Sequence, residues 1–181
     1  GFIPEDRSTD GIISSFSIAD NLVLDQFDAS EFALGPSRRL GAVARNAREK
    51  QEEYDIRLTS IDDPVSSLSG GNQQKVVVAR EMSRDLTVLV ANQPTRGVDV
   101  GSIEFIHRRI VDVRDQGCAV LLISSELDEV VALADRIAVM YRGRIVGIVP
   151  PDTSRDVLGL MMAGVPVDEA VAASCGSAQE R

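Results

Sequence analysis

Leu68-Ser69-Gly70-Gly71-Asn72-Gln73-Gln74-Lys75 is the most specific stretch of the chain, with a serine and two glycines standing directly before a helix-compatible run, Asn72 to Arg84. The first N–H groups of a helix have no partner inside it and point outward as donors, and glycine lets an anion approach the backbone. The bland alternative is a serine cap in front of an ordinary helix. The complete octet favours the reading in which a phosphate meets the helix start.

Outward from this octet the rhythm changes. Leu86 to Ala91 reads as a short apolar strand, Ser102 to Gln116 as a helix, Ala119 to Ser124 as a second strand, Glu126 to Ala134 as a helix and Ile137 to Tyr141 as a third strand. Strands alternating with helices at this spacing predict a parallel sheet. Ile137 to Val149, turning at Arg142-Gly143, reads as a hairpin that closes the sheet edge. A helix over Ser154 to Met162 follows Pro150-Pro151, and residues 165–181, rich in alanine, serine and acids, read as a mobile, disordered tail. Upstream, residues 5–66 are helical in pattern, with Ser17 to Leu24 and Leu40 to Leu58 as helices and residues 25–39, around Gly35-Pro36-Ser37, as a loop. The expected division is a helical lobe over 1–66, an α/β core over 67–164 and the tail over 165–181.

The 181 residues, 44% of them hydrophobic, can bury one sizeable core, and that length favours a single α/β-sized unit. A formal net charge of −9 argues against free nucleic acid or an anionic membrane surface as partner, because both repel an acidic protein. No apolar run approaches the roughly 18 residues of a membrane span, and Gly1 to Asp10 has neither the basic start nor the apolar stretch of a signal peptide. The expectation is a soluble, cytoplasmic protein. Cys118 and Cys175 lie in no metal-binding spacing and read as one core thiol and one exposed thiol. The opening Gly1-Phe2-Ile3-Pro4, an apolar stub with no element before it, reads as the middle of a domain, and the N-terminus as a cut.

The octet resembles the LSGGQ signature of the ATP-binding cassette (ABC) ATPases, and its LSGGNQQK form is similar to the subgroup that powers uptake of simple sugars and related small molecules. The resemblance runs from Gly1 to about Gly164 and includes motif order. It implies an α/β fold: part of a P-loop NTPase core with a mainly parallel sheet, a helical subdomain and the phosphate-loop strands missing. It also implies that the signature, Ser69, Gly70, Gly71, Asn72 and Gln73, binds the ATP held by a partner cassette. Asp99, with Gly97 and Val98, matches the D-loop that crosses such a dimer, although the same residues suit a plain helix start. The phosphate loop GxxxxGK[ST] is not in the sequence: Lys50 and Lys75 are its only lysines and neither follows a glycine. Family order puts that loop upstream of Gly1.

Four further positions depart from the family pattern. Where an aspartate should order Mg²⁺ and a glutamate should polarise water, the chain has Asn92 and Gln93, followed by an intact Pro94-Thr95-Arg96-Gly97-Val98-Asp99. A neutral amide supplies no charge for a hard divalent cation, and an amide is no practical general base. Ser125 occupies the place of the switch histidine, and Glu5 that of the metal-sensing glutamine. The only histidine, His107, falls mid-helix beside Arg108 and Arg109 and reads as a surface or packing residue; the charged run Arg45 to Glu53 reads as a solvated helix face.

The resemblance therefore implies the second, degenerate cassette of an importer ATPase for simple sugars or nucleosides, inactive in hydrolysis alone. The complete assembly is expected to use ATP and Mg²⁺ at the cytoplasmic face of the membrane. Expected partners are an upstream-fused cassette, an integral membrane permease and, indirectly, an external substrate-binding protein, with no nucleic acid. The competing reading is a non-transport ABC protein in which ATP clamps two domains as a switch.

Overall fold

The computed structural model describes the backbone of residues 1–177 and the side chains of residues 1–174. The chain divides into two compact units, Gly1–Ser124 and a second that opens at Ser125. Three parallel strands organise the first: β1 (Phe2–Ile3), β4 (Val88–Asn92) and β5 (Ala119–Ile123). β4 lies in the middle, with Ile3 opposite Ala91 on one side and Ile123 opposite Asn92 on the other. All three strands therefore end at one edge, the edge from which ligand-binding loops leave a parallel sheet.

β1 is one element that sequence reading missed. Two apolar residues carry no measurable period, and their strand character comes from pairing with β4. Alternation then sorts the faces: Ile3, Leu89 and Ala91 are fully buried beside exposed Phe2 and Val88, and in β5 exposed Leu121 and Ile123 alternate with half-buried Val120 and Leu122.

The buried face of the sheet rests on α3 (Gly70–Met82), whose Val76, Val77, Val78 and Ala79 are all fully buried. A helix apolar on several sides needs cover on several sides. β1, α1 (Ile18–Leu22) and α4 (Val100–Asp115) supply it. The lobe contributes α1 and α2 (Leu40–Glu53), somewhat shorter than expected, and the loop between them contains a small hairpin, β2 (Ala33–Leu34) with β3 (Ser37–Arg38), turning at Gly35. Polar groups tie lobe, helix and strand together. Arg80 donates to the Asn21 carbonyl at 3.4 Å and pairs with Glu81 at 3.0 Å, and Glu81 accepts the Phe2 N–H at 3.0 Å.

In the second unit, α5 (Leu127–Leu133), β6 (Ile137–Tyr141), β7 (Arg144–Val149), α6 (Arg155–Met162) and α7 (Val167–Ser177) surround a core of Ile137, Val139, Val149, Val157, Leu158, Met161 and Ala170. The predicted hairpin forms, and its turn is built by Arg142 and Gly143, both at positive φ, as a two-residue hairpin loop with right-handed strand twist requires. It does not close the edge of the parallel sheet. β6 and β7 pair only with each other, as a separate two-stranded sheet. Hairpin register is set locally by the turn, and α6 and α7 bury its apolar face, so no third strand is needed. The expected disordered tail is also corrected: Val167–Ser177 is helical, and Ala170 is fully buried in the core. Its alanines favour helix, and Gly164 at φ +94° stops α6 with the Tyr141 ring packed where a side chain would stand. Residues 178–181 and the Cys175 side chain lie outside the described residues. Among the described residues no helix is long and apolar enough to cross a membrane.

Candidate functional site

α3 begins at the octet. Ser69 sits in extended backbone as the cap, and its Oγ accepts from the Asn72 N–H at 3.5 Å and the Asn72 side-chain amide at 3.0 Å. Asn72 Oδ1 accepts the Arg57 N–H at 2.8 Å, and the Gln73 amide donates to the Leu68 carbonyl at 3.1 Å. Asn72 and Gln73 thus hold the approach to the helix, while Ser69 remains exposed at its tip with a hydroxyl proton of its own to donate.

The two glycines do work that the sequence reading did not foresee. A Cβ on Gly71 would lie 2.5 Å from Asp99 Oδ2 and 2.6 Å from Ser102 Oγ, closer than side-chain carbons come to anything. Gly71 is required for α3 to touch the start of α4. There Asp99 caps the helix: it accepts the Ser102 N–H at 3.0 Å and the Ser102 hydroxyl at 2.8 Å, bonds that hold its carboxyl below the usual carboxylate range. A Cβ on Gly70 would lie 2.6 Å from Arg7 Nη2 and 3.3 Å from the Gly97 carbonyl oxygen.

At the carboxyl end of β4, the Gln93 N–H donates to the Ile123 carbonyl at 2.7 Å, and Gln93 takes a positive φ of 51°. Arg96 N–H returns to the Gln93 carbonyl at 3.1 Å, closing the turn that leads to Asp99. The buried Gln74 amide donates to the Pro94 carbonyl at 2.8 Å, anchoring this turn on α3. Glu5 follows β1 at the same sheet edge and is ion-paired with Arg96. Asn92, Gln93 and Glu5 are therefore neighbours in the topology. Ser125 follows β5 by two residues and opens the second unit.

Mg²⁺ takes oxygen donors carrying negative charge. The groups at this edge are two neutral amides and one carboxylate already paired with a guanidinium, and no group of three or more acidic, histidine or cysteine side chains occurs among the described residues. These residues do not fit a resident Mg²⁺. His107 is half-buried in α4.

Sequence reasoning missed a cation cluster behind the helix. Lys75, 6% exposed, donates to the Asp55 carbonyl at 2.8 Å and its carboxylate at 2.9 Å, with its ammonium 4.8 Å from the centre of the Phe105 ring. Arg109 stacks over Tyr54 at 4.5 Å and also pairs with Glu53. The charged end of α2 is thus partly structural. The sequence carries no local signal for it, since Lys75 stands between Gln74 and Val76, and Asp55 and Phe105 are distant along the chain.

No family model matches the chain. The curated proteins that resemble it include the nucleoside import ATP-binding protein NupA of Lactococcus lactis, 44% identical over 93% of this chain and 34% of that protein; the guanosine import ATP-binding protein NupO of Bacillus subtilis, 44% identical over 94% and 34%; and the ribose import ATP-binding protein RbsA 2 of Rubrobacter xylanophilus, 45% identical over 81% and 28%. The chain spans about a third of the length of the curated relatives it matches. Among solved structures, a dimer of the ATP-binding cassette MJ0796 in a post-hydrolysis state with ADP and Pi shares the fold at TM-score 0.69 and 19% identity, over 85% of this chain and 63% of that one. The fold is the α/β fold of an ABC ATPase cassette, of which the chain spans part, and the sequence is similar to sugar and nucleoside import ATP-binding proteins.

Proposed function

We propose that this chain is the signature-donating half of an ATP sandwich whose own nucleotide site is catalytically impaired, within an importer for nucleosides or simple sugars. The observation that carries the reading is the contrast between a helix start and a strand end: Ser69 stands exposed as the cap of α3, while the acidic pair expected at the end of β4 is Asn92-Gln93. The positive end of the α3 dipole and the Ser69 hydroxyl suit a terminal phosphate presented by a partner cassette. Asn92 can neither neutralise a divalent cation, nor can Gln93 take a proton from water. Ser125, in the place of the switch histidine, offers a hydroxyl instead of an imidazole.

The names of the relatives support nucleoside or sugar import, which brings a membrane permease, an external binding protein and the cytoplasmic face of the membrane as the working setting. ATP and Mg²⁺ belong, in this reading, chiefly to the partner's site.

The test is ATP turnover by the full-length protein with only the partner cassette's catalytic glutamate changed to glutamine. Loss of nearly all turnover is expected. A rate equal to wild type would show that the Asn92-Gln93 site hydrolyses ATP and would sink the asymmetry.

A further inference from the structure

We infer that Arg7 is a positioning residue that sets the signature helix against the turn preceding Asp99, and so aims Ser69 at the partner's nucleotide; this rests on the signature-donating role proposed above. Arg7 lies in the π-helical turn Arg7–Gly11, between β1 and the helical lobe, a rare conformation that recurs at functional positions. Its guanidinium donates through Nη1 to the Arg96 carbonyl at 3.0 Å and through Nη2 to the Gly97 carbonyl at 3.4 Å. The same Nη2 fills the space in front of Gly70, 2.6 Å from where a Cβ would stand. One planar group therefore touches the second signature residue and both carbonyls of the turn that leads to Asp99.

Neighbouring contacts fix this group from each end. Asp6 caps the turn that carries Arg7, accepting the Ser8 N–H at 2.9 Å and the Thr9 hydroxyl at 3.1 Å. Glu5 pairs with the side chain of Arg96, whose carbonyl Arg7 holds. The Arg7 Nε is buried with no hydrogen-bond partner, so the guanidinium is held by its two forward nitrogens alone. A planar fork can hold two carbonyls at fixed separation, whereas an ammonium acts as a point charge. Motion of the lobe entry over residues 5–11 would then shift Gly70 and the Gly97 turn together.

The experiment is a double-mutant cycle on ATP turnover in the full-length protein. Arg7→Met keeps the stem and removes the donors, and it is expected to lower kcat about ten- to a hundredfold, the scale of a misplacement of about 1 Å, with KM changed by less than about threefold. Arg7→Lys is expected to fall between Met and wild type. Gly70→Ala displaces Nη2 from its seat, so the double variant with Arg7→Met should be no slower than the slower single variant. Thermal denaturation of each variant verifies folding, and Arg7→Lys keeps the comparison readable if Arg7→Met does not fold. Multiplied effects in the double variant, or equal changes in kcat and KM, would overturn the role of Arg7. In that event a lowered kcat in Ser69→Ala leaves signature donation standing; if Ser69→Ala also turns over at the wild-type rate, donation falls and the role of Arg7 with it.

Discussion

The start of α3 and the end of β4 lie on one sheet–helix layer and differ in what they have kept. At the helix start both geometry and chemistry are present: a capping serine, two glycines in close contact with neighbours, and an exposed hydroxyl. At the strand end the geometry is present without the chemistry. The Gln93 N–H bonds the Ile123 carbonyl, the turn closes on Gln93, and Gln74 holds Pro94, while positions 92 and 93 carry no negative charge. Pairing and packing stabilise such a backbone framework independently of the side chains it presents.

The largest effect should come from restoring that charge. With the partner cassette silenced in the full-length protein, Asn92→Asp combined with Gln93→Glu is expected to raise residual Mg²⁺-dependent ATP turnover by about a hundredfold, the lower range for a placed general base. An unchanged rate would mean that the strand end has lost its geometry as well. On the opposite side of the comparison, Gly71→Ala should cost about 1–3 kcal/mol in chemical denaturation, because the added carbon meets Asp99 and Ser102. Gly41→Ala, on α2 with open space around it, should instead gain about 0.5–1 kcal/mol. Equal outcomes for the two glycines would remove the packing argument. Gln74→Leu strips the Pro94 carbonyl of its buried donor and should destabilise by about 1–3 kcal/mol, read by the same denaturation.

The smallest effect is electrostatic. The Lys75 hydrogen bond, reinforced by its charge, lowers the Asp55 carboxyl below its ordinary value. A depressed carboxylate stabilises the fold above its unfolded pKa and loses that contribution as pH falls through the folded value. Stability measured from pH 6 downward should therefore decline less in Asp55→Asn than in wild type. The difference should be modest, since Asp55 is largely exposed and solvent screens the pair.

Much of this was legible from residue order. The strands and helices from Leu86 to Tyr141 follow from periodicity, and Asn92, Gln93 and Glu5 are assigned by resemblance to family motifs. What stayed hidden depends on contacts distant along the chain. Phe2-Ile3 becomes a strand only beside Val90 and Ala91. Arg7 gains meaning only when it meets Arg96 and Gly97, about ninety residues on, and Lys75 only when it meets Asp55 and Phe105. The expected disorder after residue 165 failed for a related reason: an alanine-rich stretch reads as polar and featureless until Ala170 is seen against Leu158 and Met161.

The close approach at Gly71 also bears on how such sequences are deciphered. Packing against Asp99 and Ser102 would preserve this glycine even in a descendant that never met a nucleotide, so its presence testifies to architecture before recognition. Ser69 is the more telling letter, because its exposed hydroxyl still has a proton to give outward.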